Sequence, residues 1–129
     1  MRGYLATTPT ELQAFLTNGI HRFGSAFVTT RSFFEENPDV DEEEREFELS
    51  WLAAQDSRIQ QGLNESHGLV LAIDVTSAQV GKEIGNQIQL LSDVSWSQVE
   101  SLLVSESAEP ELTWYARQEI AAHLPQWLS

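Results

Sequence analysis

The sequence predicts an α/β domain, with α+β as the alternative: a mixed sheet of four or five strands packed by three main helices, with residues 1–129 forming one unit. Three observations predict it. The run Gly68-Leu-Val-Leu-Ala-Ile-Asp-Val-Thr76 is short, branched and bounded by turn residues, as a buried strand is. Thr8-Pro9-Thr10-Glu11 carries a helix start directly after a short apolar segment. Long stretches at helical spacing lie on either side of the central run, from about Asp41 to Leu63 and from Glu111 to Leu124.

In chain order, Arg2–Thr7 reads as a first strand with Tyr4 and Leu5 as its large members. Thr8 is the expected N-cap, Pro9 occupies the first helical position, where no amide hydrogen is needed, and Glu11 is expected to reach back as the third residue of a capping box. Leu12, Phe15 and Leu16 form the inward stripe, and Asn18-Gly19 ends the helix because glycine tolerates the left-handed conformation. Ser25–Thr30 reads as a second strand, and its succession to strand and helix suggests a parallel crossover. Arg31 to Phe34 reads as a turn of helix.

Glu35 to Glu48 contains nine carboxylates. Asp39 or Asp41 is expected to cap the helix that follows, whose first-turn acids complement the positive end of its dipole. Further along, Arg45 and Arg58 ease the repulsion. Advancing each residue by ~100° sets Phe47, Trp51 and Ala54 on one side and Leu49, Leu52, Ile59 and Leu63 nearly opposite. Both sides are therefore expected to be covered, by the sheet and by another helix or a second copy.

Gln61–Gly68 is a turn-rich connection into the central strand. There Leu69, Leu71, Ile73 and Val75 alternate with Val70 and Ala72, so both faces of that strand are expected to be packed. Thr76 to Lys82 reads as a turn of helix, Glu83–Gln87 as a loop, Ile88–Val94 and Val99–Ser105 as two further strands, and Ser95–Gln98 as the turn between them. Leu112, Ala116, Ile120 and Leu124 recur every fourth residue, which predicts a closing helix from Glu111 to Leu124. Pro125 is expected to end it, with Trp127 folding back onto the core.

Twenty Asp and Glu against seven Lys and Arg give a formal charge of -13. That opposes direct binding to nucleic-acid phosphates or anionic lipid, and leaves a self-repelling soluble surface or a face for a basic protein partner. With no cysteine there is neither a disulfide nor a thiolate metal site. The stretch Met1–Pro9 lacks the apolar run of a signal peptide and no segment approaches the ~20 apolar residues of a membrane helix, so a cytoplasmic monomer or homodimer is expected.

No motif assigns a catalytic, cofactor or metal site. His21, His67 and His123 lack i, i+4 pairing, and His123 is expected to meet a helix dipole. No Gly-x-Ser-x-Gly elbow surrounds a serine, and Val80-Gly-Lys-Glu83 lacks phosphate-loop spacing. Asp74, near the end of the central strand, is the candidate ligand-pocket residue, set against the plainer expectation that it caps the next turn through Thr76 or Ser77. Candidate partner-binding residues are Asp41, Glu42, Glu43, Glu44, Glu46 and Glu48. Trp114 joins them, since it shares a helical face with Gln118; packing on a neighbouring helix is the alternative favoured for it.

The start Met1-Arg-Gly-Tyr-Leu-Ala6, Thr8-Pro-Thr-Glu-Leu12, Ala26-Phe-Val-Thr-Thr30, Leu71-Ala-Ile-Asp-Val75 and Leu112-Thr-Trp-Tyr-Ala-Arg-Gln-Glu-Ile120 together resemble a family of small, acidic, uncharacterised actinobacterial proteins. The resemblance covers nearly the whole chain and implies no assigned activity. Members of that family often carry His and Asp in the strand before the closing helix, where this chain has Leu103 and Ser105, so no site is carried over from there.

The leading functional expectation is a non-enzymatic interaction or regulatory module that uses its acidic helix. The alternatives are a small hydrolase or transferase with a cleft near Asp74, and a phosphate-mimicking inhibitor of a nucleic-acid-binding protein.

Overall fold

The computed structural model describes residues 1–62 and 67–128. Its elements are β1 (Arg2–Thr7), α1 (Pro9–Asn18), β2 (Ile20–His21), β3 (Ser25–Phe27), α2 (Arg31–Glu36), α3 (Glu42–Gln60), β4 (Gly68–Asp74), β5 (Val80–Ile84), β6 (Gln87–Leu90), β7 (Val94–Ser95), β8 (Val99–Ser105), β9 (Thr113–Ala116) and α4 (Ile120–Leu128). Seven strands form one sheet in the order β5-β6-β3-β1-β4-β8-β9, and β2 pairs with β7 separately. Among the described residues no helix is long and apolar enough to cross a membrane.

The mixed α/β character is as expected, and the sheet is larger than expected and antiparallel throughout. The parallel crossover expected after β1 does not form. When the chain leaves α1, Ile20–His21 is held by β7, and the Gly19 carbonyl accepts from Trp96 N at 2.8 Å. This excursion leaves and re-enters at the same end of the sheet, so β3 runs back along β1 with Tyr4 opposite Phe27.

β4 is covered on both faces, as its apolar run requires. Leu69, Leu71 and Ile73 join Leu5, Leu12, Phe15, Leu102, Ile120 and Trp127 on one face, whereas Val70 and Ala72 join Tyr4, Phe27, Leu49, Ala53 and Ala54 on the other. Thus α1 and α4 cover one side of the sheet and α3 the other. Trp127 folds onto the core as expected.

α1 starts and stops where local chemistry dictates: Thr8 Oγ1 accepts from Glu11 N at 3.1 Å and Gly19 has φ 76°. The capping box is only half made, because the Glu11 carboxylate is drawn elsewhere. It accepts from Thr7 Oγ1 at 2.8 Å and lies 3.1 Å from His21 Nε2.

α3 has one buried side rather than two. Leu49, Ser50, Ala53, Ala54 and Ser57 face the sheet, whereas Phe47 and Ile59 are exposed. Small side chains make this face, and they bring the helix so near β4 that a Cβ added at Gly68 would meet the Ala54 carbonyl oxygen at 2.6 Å. Leu63 lies outside the described residues.

The expected helix at Thr76–Lys82 is a 3-10 turn at Ser77–Gln79 leading into β5, and the expected loop at Glu83–Gln87 is the tip of the β5–β6 hairpin, turned at Gly85 with φ 62°. The strand expected over Ile88–Val94 is split into β6 and β7. The closing helix is shorter than expected. Thr113–Ala116 is an edge strand on β8, suited by Thr, Trp and Tyr, and the helix begins only at Ile120 after a 3-10 turn. Pro125 lies inside α4, whose last turn is held to the core by Leu124 and Trp127.

Candidate functional site

The antiparallel register gathers polar groups at one end of the sheet, where β1 and β8 begin and β4 ends. Arg2 stands opposite Asp74. Between β4 and β8 the pairing passes from Ala72↔Ser101 to Ile73↔Val99, so Glu100 is the extra residue of a bulge, a distortion that re-aims side chains at sheet margins. It takes Arg2 Nη2 at 3.0 Å and Nε at 3.4 Å, a two-point contact that raises the Arg2 pKa above its ordinary value.

The first turns of α3 lie beside this end. Between them and the strands is a cleft of about 1110 Å³ whose wall carries the charged groups of Met1, Arg2, Glu42, Arg45, Glu46, Asp74, Glu100 and Arg117 among less polar residues that include Val28, Phe34 and Val99. Arg45 is pinned from behind: its Nη1 donates to the Asn37 carbonyl at 3.1 Å and to the Val40 carbonyl, and its guanidinium lies 4.7 Å from the centre of the Phe34 ring. Arg117 Nη1 donates to the Ser97 and Val99 carbonyls at 3.2 and 3.4 Å.

Glu46 accepts from the Tyr4 hydroxyl. Burial, and then this bond to a carboxylate, push the Tyr4 phenol well above the ordinary tyrosine range. Because the folded pKa is the higher one, the associated stability is fully present below about pH 10 and is lost as pH rises through the folded value. Tyr4→Phe is therefore expected to flatten the fall in unfolding midpoint above about pH 10. An unchanged alkaline slope would place that titration on another group.

The cleft unites three of the sequence-selected residues, Glu42, Glu46 and Asp74. Asp41 caps α3 instead, its Oδ1 accepting from Glu44 N at 2.9 Å, and Glu43, Glu44 and Glu48 are exposed on the helix. Asp74 does not cap the next turn. Gln79 Oε1 takes Thr76 N at 3.0 Å, while the Asp74 side chain, 75 % exposed, meets the Met1 ammonium at 3.3 Å. Trp114 stands apart on edge strand β9, opposite Leu103 and 61 % exposed, so the packing favoured for it is not made. Gln118 is not its helical neighbour but a wall residue of the cleft.

Arg2, Glu100 and Arg117 each acquire their place in the cleft from register, bulge or turn geometry, which the sequence alone does not show. His123 packs against Tyr115, with ring centroids 4.7 Å apart and planes inclined at 54°, rather than standing at a helix end, and among the described residues no three His, Asp or Glu side chains form a metal-ligand group.

No curated protein and no solved structure matches the chain. A family model does match, over residues 1–111, which leaves β9 and α4, and with them Leu112–Ile120, beyond the matched span. The chain thus belongs to the family of unknown function DUF6912.

Proposed function

We propose that this protein is an interaction module that meets a basic segment of a protein partner through the exposed acids of α3, Asp41, Glu42, Glu43, Glu44 and Glu48. The observation that carries this reading is that all five are exposed and, among the described residues, none takes part in a salt bridge. Exposed Phe34 and Phe47 flank them and offer apolar contact beside the charge. An acidic face without internal counter-charge steers cations and weakens with salt.

Glu43→Lys combined with Glu44→Lys leaves the fold intact, since neither side chain packs, and is expected to weaken the complex about tenfold or more at low salt. The test is capture from the native cell extract at low and high salt, with the double variant in parallel. A basic partner lost both at high salt and with the folded variant supports the proposal. A partner that the variant retains, or none at either salt, counts against it.

The cleft at Asp74 favours a second reading, a small hydrolase or transferase. It is the weaker one, because Asp74 is exposed and engaged by an ammonium, unlike the desolvated carboxylate that serves as a base.

A further inference from the structure

We infer that the cleft beside the first turns of α3 binds a small polar molecule through its oxyanion, a carboxylate or phosphate, gripped by the guanidinium groups of Arg45 and Arg117. This site shares Glu42 with the exposed acidic face, but its two guanidinium groups lie outside that set of acids, and it stands whether or not that face binds a partner.

The charge distribution points there first. In a chain with seven basic residues and a formal charge of -13, three of the seven line this one cleft. Arg2 is neutralised by Glu100, whereas Arg45 and Arg117 form no salt bridge among the described residues. Their bonds go to backbone carbonyls, which fix a guanidinium in place without cancelling its charge.

The bonding pattern adds a second argument. Both side chains are held by Nη1 alone, so Nη2 and Nε, the edge that forms paired hydrogen bonds to a carboxylate or phosphate, take no acceptor among the described residues. At Arg45 the Nε is buried as well as unpartnered, so a ligand in the cleft meets that guanidinium through Nη2, and the open paired edge is that of exposed Arg117. Two guanidinium groups anchored in advance, each with donors left unspent, favour an oxyanion in this cleft.

The rest of the wall defines the ligand further. Glu42, Glu46 and Asp74 line the same cleft, where Glu46 is taken by Tyr4 and Asp74 by the Met1 ammonium, so Glu42 is left to meet an amine or hydroxyl on a ligand that also carries an anionic group. A long polyanion is disfavoured by the surrounding carboxylates and the net charge of the chain.

The test is titration of the whole protein with inorganic phosphate and, separately, acetate, followed by NMR on the arginine Nε–H resonances. Saturable shifts at Arg45 and Arg117, absent at the outlying Arg31, are expected with at least one anion, and the one that saturates at lower concentration assigns the class. Arg117→Gln, on an exposed side chain whose removal leaves the core untouched, should weaken binding by about tenfold or more, the value of one charge-assisted contact. Arg31→Gln should leave it unchanged. Linear shifts shared by all arginines, no shift with either anion, or full affinity in the folded Arg117→Gln protein would overturn the proposal.

Discussion

Phe15→Ala is expected to cost about 3–5 kcal/mol, as emptying a fully packed aromatic site generally does. Phe15 is wholly buried and sits edge-on to Trp96 at 5.0 Å and to Phe23 at 5.5 Å. Those rings belong to the excursion between β1 and β3 and to the turn after β7, so Phe15 joins α1 to parts of the chain that the main sheet does not hold. Alanine would remove both the transfer free energy of the ring and the contacts around the vacated space, and the two-stranded pairing of Ile20–His21 with Val94–Ser95 would lose its underlying support. Against a typical total stability of about 5–15 kcal/mol the loss is large. Urea unfolding should show a lower midpoint with an unchanged slope. Phe47→Ala, on the exposed side of α3, is the control and should stay within about 0.5 kcal/mol. Equal losses in the two variants would mean that the burial pattern drawn for α1 and α3 is wrong.

The same contrast explains what could be read in the sequence. Phe15 is legible because α1 is bounded by local chemistry, Thr8 and Pro9 at one end and Gly19 at the other, and β4 is legible because a strand buried on both faces is apolar at nearly every position. Edges lack that signal. Residues 82–84 of β5 are exposed, so the strand reads as a polar loop, although Gly85-Asn86 between two strands is a hairpin-type dipeptide. The four-residue recurrence from Leu112 to Leu124 joins a strand, a 3-10 turn and a helix by coincidence of spacing. On α3 the large apolar residues other than Leu49 mislead, because the rest of the buried stripe is made of small ones. The acidic helix and Asp74 were legible as charge and as a strand end, but their meeting in one cleft depends on register, on the bulge at Glu100 and on the antiparallel path of the strands, which are set by distant contacts. Arg45 looks like simple relief for its acidic neighbours, yet its hydrogen bonds go to carbonyls and it turns into the cleft wall.

Ser57 shows how a small residue can matter as much as a large one, and Ser57→Ala is expected to cost about 2–4 kcal/mol through two stranded backbone groups. The Ser57 hydroxyl donates to the Thr7 carbonyl at 2.6 Å and accepts from Leu69 N at 2.9 Å, and it is fully buried. Thr7 and Leu69 face each other at the end of the β1–β4 ladder, so one side chain from α3 closes both strands at once. Gln61 Nε2 adds a third contact to this hydroxyl at 3.1 Å. Alanine fits the space but supplies neither donor nor acceptor, and both Thr7 and Leu69 are fully buried. Ser50→Ala is the matched control: that hydroxyl is also buried but bonds only to the Phe47 carbonyl of its own helix, so its loss should cost about 1 kcal/mol or less. Hydrogen exchange separates a bridging role from general loosening, since Leu69 N–H should lose protection more than amides at the centre of β4 in Ser57→Ala and not in Ser50→Ala. If the two variants lose equal stability, with no selective change at Leu69, Ser57 is only a small residue that lets α3 approach the sheet, and the hydroxyl does not tie the helix to β1 and β4.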